Sequence, residues 1–360
     1  MTIFNATPTE APEVSASLEE GNGADAALAA KMSNKRKRRI AALTIALVIV
    51  GLLLAWYLMN RKPLSELPGL SDTKMPHYEM SIYGTTKPIG VAVSPSGDRI
   101  YVTESDGTRV VRIFNRDGKQ TGILQPPAST GVGPSAHLPM YVAINPTTQD
   151  VYVSDRLTST IYIYDGSGKY LRTFAPKGNL GAPTWAPLGL AFGPDGSLYV
   201  TDVRGKDSKA HRVVEFGPDG AFVRSMGTPG QLNFPNGIVV DGHGNIQVTD
   251  SNNGRLVVFN AAGKMIATIS QGVGEGDLGL PRGAAVDDAG RLLVADTSDH
   301  NVKVYKVGTT DAPTPTFIGL FGAEGQLDGT FEYPNGGATD TRAHIYITDR
   351  ENNRVQVWGY

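Results

Sequence analysis

Six carboxylates recur in register along this sequence: Glu104, Asp155, Asp202, Asp250, Asp296 and Asp349, each 15 or 16 residues after one of Pro88, Pro139, Pro187, Pro235, Pro281 and Pro334. A convergent ring of acids could hold a hard cation, which takes several oxygen ligands. Repetition favours a different role. A carboxylate that returns in every repeat is architectural, and Arg109, Arg212, Arg255 and Arg354, at the start of the run that follows it, are its expected partners. His77, His137, His211, His243, His300 and His344 fall on different parts of the repeat and are not expected to share one ion. Asp165-Gly-Ser-Gly168 and Asp250-Ser-Asn-Asn-Gly254 look faintly like calcium loops, but both lack a terminal acid and sit where hairpin turns are required. Gly-x-Ser-x-Gly elbows, phosphate-cradling glycine loops and Ser/His/Asp groupings of credible spacing are absent. There is no cysteine, which excludes disulfides and thiolate metal sites.

The elements that must position these acids are short strands. Each proline opens an alternating run, a turn and a second alternating run that ends at the acid. A third run then ends in an aromatic: Phe114, Tyr164, Phe216, Phe259, Tyr305 or Trp358. Period-two alternation marks half-buried strands. In the fourth repeat the runs are Gly237–Asp241, Ile246–Asp250, Arg255–Phe259 and Met265–Ser270. Repeats spaced by 46 to 53 residues and built from such strands predict an all-β protein, a six-bladed β-propeller over residues 77–360. The sixth repeat ends without an outer strand. Tyr78–Gly84 matches the other outer strands and is expected to close the ring by pairing with the last blade.

Ahead of the repeats, Ile40–Met59 is an apolar run of the length that one transmembrane helix needs. Its end offers no small-x-small cleavage site, and Trp56 and Tyr57 suit an interfacial pair, so an uncleaved signal anchor is expected. Lys31 and Lys35–Arg39 precede the span and only Arg61 and Lys62 closely follow it, which puts the N-terminus in the cytoplasm and the propeller outside the cell membrane. Residues 1–39 read as a cytoplasmic tail, disordered where acids outnumber large apolar side chains, with a short frayed helix over Ala24–Met32. Residues 60–76, punctuated by Pro63, Pro68, Gly69 and Pro76, read as a stalk. Net charge is −2 over 360 residues, so nothing global suggests a nucleic-acid partner.

Tyr-Pro-Asn-Gly-Gly (Tyr333–Gly337), Ile-Tyr-Ile-Thr-Asp (Ile345–Asp349) and Asn-Asn-Arg-Val-Gln-Val-Trp (Asn352–Trp358) resemble an NHL repeat, and Phe321–Phe331 resembles that family's glycine-rich connector. Repeats 3 to 6 carry the pattern well. The first two are looser, with Glu104 in place of Asp and Thr160 where others carry Arg. The resemblance implies the propeller fold but no single activity, since such propellers include binding modules and relatives of lyases and lactonases. In the amidating-lyase relatives, zinc is held by histidines on the loops entering the inner strands. The matching positions here are Ile89, Met140, Leu188, Asn236, Arg282 and Asn335, none of them histidine. Senescence-marker-like lactonases hold a divalent cation there with carboxylate and Asn ligands, and none of the six is an acid. A metal-dependent lyase or lactonase is therefore the alternative reading, and neither metal nor other cofactor is expected.

The favoured reading is a binding or scaffolding module. Loops entering the inner strands and turns joining second to third strands emerge on one face of a propeller. That face collects Arg156, Arg204, Lys206, Lys209, Arg282 and Arg350, with Asn236, Asn335, Tyr141 and Trp185 nearby. Two of its loops, Gln125–His137 and Val203–His211, are long, which is where binding concentrates on a rigid scaffold. Arg156, Arg282 and Arg350 are expected to converge near the axis and suit an anionic ligand or an envelope protein. The competing account is that these cations only balance the acidic ring.

Overall fold

The computed structural model describes residues 35, 37–52, 75–181, 184–205 and 208–360. The chain divides into two compact units at residues 64 and 65. In the first, residues 37–52 are helical with their side chains exposed. Among the described residues no helix is long and apolar enough to cross a membrane. The expected span Ile40–Met59 runs past residue 52. Its remainder, Trp56 and Tyr57 included, lies outside the described residues, as do the expected disordered segment and frayed helix before residue 35 and the stalk as far as residue 74.

The second unit is an all-β six-bladed propeller of six four-stranded antiparallel sheets. Inner strands begin at the six repeating prolines: Pro88–Val93, Pro139–Ile144, Pro187–Phe192, Pro235–Val240, Pro281–Val286 and Pro334–Thr339. In each blade the proline pairs directly with the acid that ends the second strand. Connectors and second-to-third turns therefore share one end of every sheet, hereafter the mouth face. The fourth blade's second and third strands, Ile246–Asp250 and Arg255–Phe259, have the expected bounds, while its inner strand is Pro235–Val240 and its outer strand ends at Ile269.

His77–Tyr83 supplies the outer strand of the last blade. It pairs antiparallel with Arg354–Gly359, from His77 opposite Gly359 to Tyr83 opposite Arg354. The chain thus enters the propeller at the face opposite the mouth. Ile82 on this strand is 1% exposed in the cluster that joins the last blade to the first. Five further clusters fill the other gaps between neighbouring blades, so the apolar core is a ring of interblade layers.

Hydroxyl groups beside the acids tie the inner strands into that ring. Thr103 Oγ1 donates to Met140 O at 2.7 Å, Ser154 Oγ to Leu188 O at 2.6 Å and Thr201 Oγ1 to Asn236 O at 3.1 Å. Thr249 Oγ1 donates to Arg282 O at 2.7 Å and Thr348 Oγ1 to Ile89 O at 2.9 Å. The fifth blade has Ala295 at this position and uses Thr297 Oγ1 to Pro334 O, at 2.6 Å. Inner strands approach so closely that a Cβ on Gly189 would collide with Asn236 O.

Candidate functional site: the propeller mouth

The six acids are fully buried, and each fastens a connector to its blade. Asp202, Asp250 and Asp349 accept a connector N–H with one oxygen, from Ala186, Asn233 and Glu332 at 2.9, 2.6 and 2.7 Å. Their second oxygen accepts Nε of Arg212, Arg255 and Arg354 at 3.0, 2.7 and 2.8 Å. The same arginines then donate to connector carbonyls, such as Leu180 O and Leu327 O. A carboxylate with both oxygens engaged in this way is a structural clamp.

The other three blades reach the same clamp differently. Arg109 is not the partner of Glu104; Arg112 is, with Nε donating to Oε1 at 2.6 Å. In the fifth blade Lys303 Nζ donates to Asp296 Oδ2 at 3.0 Å. Arg112 and Lys303 stand two residues beyond the usual position, on the same strand face, because side chains along a strand repeat every second residue. The second blade has Thr160 at the arginine position, and His137 Nδ1 lies 3.0 Å from Asp155 Oδ2 instead.

At the mouth, Tyr141 occupies the position that is glycine in the inner strands of the other five blades (Gly90, Gly189, Gly237, Gly283 and Gly336). Its side chain crosses the axis, and its hydroxyl lies 3.3 Å from Asn236 Oδ1 and 3.2 Å from Asn335 Oδ1. One phenol proton serves one amide oxygen only, so one asparagine must present its Nδ2 to the phenol oxygen. Asn236 Nδ2 donates to Ser251 Oγ at 3.0 Å, and Ser251 Oγ donates to Pro281 O. With Asn236 fixed in that sense, Asn335 is the one that turns its Nδ2 to Tyr141. Burial pushes the Tyr141 phenol far above the usual tyrosine range, against the pull of the Arg282 charge, so it remains a neutral donor. Behind this bridge a channel of about 200 Å³ runs between the inner strands.

Three cations gather around the bridge. The Arg156 and Arg282 guanidinium carbons lie 5.2 and 5.9 Å from the centroid of the Phe234 ring. Neither forms an ion pair with a carboxylate within 4.0 Å among the described residues. Burial lowers the Arg282 pKa; Tyr141 opposes that shift and the charge of Arg350 adds to it, which puts Arg350 within electrostatic reach. Arg350 itself pairs with Glu351, Nη1 to Oε1 at 3.0 Å. Phe234 holds a left-handed φ of 54°, and its N–H donates to His211 Nδ1 at 2.9 Å. That bond supports a backbone conformation uncommon for an aromatic and aims the ring at the two arginines.

The expected residues are therefore brought together in part. Tyr141, Asn236, Asn335, Arg156, Arg282 and Arg350 share the mouth. Trp185 does not: its ring packs 5.8 Å from Phe216 and 6.2 Å from Phe174, in the layer between the second and third blades. Arg204 donates Nη1 to Thr184 O at 3.2 Å and is held at the connector. Lys206 lies outside the described residues. Phe234 was missing from the expected set, although an aromatic directly before the repeat proline, shared with Tyr333, was a visible signal. No group of three or more metal-ligating side chains occurs among the described residues.

An NHL-repeat family model matches residues 232–259 and 278–305. No curated protein sequence matches the chain significantly. Among solved structures, a streptogramin B lyase is similar with a TM-score of 0.54 and 13% identity, over 80% of this chain and 99% of its own. A catalytically inactive variant of virginiamycin B lyase from Staphylococcus aureus, with quinupristin, gives 0.54 and 16% over 79% and 100%. A protein of unknown function from Bacteroides thetaiotaomicron gives 0.56 and 15% over 80% and 72%. At such identities the likeness is one of fold.

Proposed function

We propose that this chain, an NHL-repeat six-bladed β-propeller, is a binding module whose mouth takes an anionic ligand, either an acidic glycan or the carboxylates of an envelope protein. The observation that carries the reading is the convergence of Arg156 and Arg282 on one aromatic ring, without acid partners, beside Arg350 and the Tyr141–Asn236–Asn335 bridge. Arg156 is exposed, but Arg282 is partly buried without a counter-charge, which is unfavourable, and an incoming anion would offset that cost. Arginine's planar fork suits bidentate pairing with carboxylate or sulfate, and the bridge offers amides for hydroxyl groups.

The lyase reading has less support. The solved lyases share the fold, but the six positions entering the inner strands carry no histidine and no acid. Anchoring at a membrane by residues 40–59, N-terminus inside and propeller outside, rests on the apolar run and its flanking charges.

The test is simultaneous charge reversal, Arg156→Glu, Arg282→Glu and Arg350→Glu, followed by capture of envelope components and of a sulfated polysaccharide. Wild type should capture its ligand in a salt-dependent way, and the variant should lose at least ten-fold in affinity with an unchanged melting temperature. Unfolding of the variant would make these arginines structural. Retention of the ligand at low salt would place binding elsewhere.

A further inference from the structure

In the last three connectors, the residue three before the repeat proline is a large apolar plug. Leu232, Leu278 and Phe331 are each 0% exposed, packed into the layer of the preceding blade. The connector into the second blade carries Ala136 at this position, and Ala136 is only half-buried. Gln125 also replaces the left-handed glycine, Gly227 or Gly322, against which Leu232 and Phe331 seat. The segment Gln125–His137 instead arches over a cavity of about 480 Å³ between itself and the first blade. That size falls within the range of small-molecule sites.

Its lining combines the apolar Val110, Ile123, Pro126, Val132 and Pro134 with polar side chains, Thr108, Gln120 and Gln125 among them, and with Arg109. Neighbouring charges are already satisfied: Arg112 is clamped to Glu104, and His137 to Asp155. Arg109 is different. Its Nη1 donates to Pro134 O at 2.8 Å, yet no carboxylate lies within 4.0 Å among the described residues. A half-open pocket that offers apolar side chains beside one guanidinium without an acid partner favours a molecule with an apolar body and an anionic head.

We propose that this pocket under Gln125–His137 is a second binding site, for a small amphipathic anion whose apolar body packs against Val110, Ile123 and Pro126 and whose head pairs with Arg109. It is independent of the mouth, from which it shares no residue.

The probe is 8-anilinonaphthalene-1-sulfonate bound to the full-length chain, displaced by octanoate or by octanol, with wild type and variants compared under identical conditions. Octanoate should displace the probe from wild type at concentrations at least ten-fold lower than octanol. Arg109→Gln should abolish that preference. Val132→Asp, at a rim position that is 77% exposed and so tolerant of change, should weaken both probe and octanoate at least ten-fold without shifting the melting temperature. The mouth variant carrying Arg156→Glu, Arg282→Glu and Arg350→Glu should bind the probe as wild type does. Equal potency of octanoate and octanol on wild type, or undiminished probe binding in Val132→Asp, overturns the proposal. Loss of probe binding in the mouth variant assigns the probe to the mouth and overturns it equally.

Discussion

Asp340, in the first hairpin of the last blade, shows how one carboxylate can make a turn depend on pH. Burial alone would raise its pKa, but hydrogen bonds from the His344 ring and the N–H groups of His344 and Arg342 outweigh that, and the carboxyl is held below its ordinary value. A depressed folded-state pKa contributes stability that is present above the unfolded value of about 4 and lost as pH falls through the folded value. Asp340→Asn should therefore cost about 1–3 kcal/mol at pH 7, and the difference from wild type should shrink steadily below about pH 4. Urea unfolding at pH 7, 5 and 3 checks this, and a gap that stays constant with pH would refute it. At this scale the sequence was only partly legible. The acids were plain because they recur, but Arg112, Lys303 and His137 were not, since each blade solves the same clamp from a different position. Trp185 misled for a related reason: it lies on the connector just before Pro187, yet its ring turns into the interblade layer to meet Phe174 and Phe216.

Among the elements, His77–Tyr83 carries the most consequence. Its alternation buries Ile82 and leaves Tyr83 59% exposed, so the two faces of the strand predict opposite sensitivities. Ile82→Ala should destabilise the propeller by about 2–5 kcal/mol, the range for emptying a buried aliphatic site. Tyr83→Ala should stay within about 0.5 kcal/mol. Deleting residues 76–84 should leave an unpaired edge and produce a lower melting temperature or aggregation. A deletion variant that melts and elutes like wild type would mean that the ring closes without this strand. The closing strand was readable because its pattern copies the outer strands of other blades. The left-handed Phe234 was not, because nothing local in the chain announces that His211, 23 residues earlier, accepts its N–H.

For the whole molecule, the repeat spacing sufficed to give the number of blades, because each strand run is short and each turn is marked by glycine, asparagine or aspartate. The mouth could be anticipated only as a face. Which side chains meet at an axis depends on Tyr141 standing where its counterparts are glycine, and on the ring bringing residues nearly 200 positions apart together. The proposed orientation in a membrane belongs at this scale as well. Protease added to intact cells or spheroplasts should cleave the propeller or the segment before it and leave an epitope at the N-terminus protected. Cleavage of that epitope with survival of one at the C-terminus would refute the orientation.

The ring is sealed by the first strand of the propeller pairing with the last, and this imposes an order in time. A ribosome adding about 5–20 residues per second leaves roughly a quarter of a minute to a minute between the emergence of His77–Tyr83 and that of Arg354–Gly359. Throughout that interval five blades can assemble while Met80 and Ile82 wait for partners not yet made. The first propeller strand is therefore unpaired for the longest time, and any holding factor that protects it during synthesis must release it only once Arg354–Gly359 has emerged.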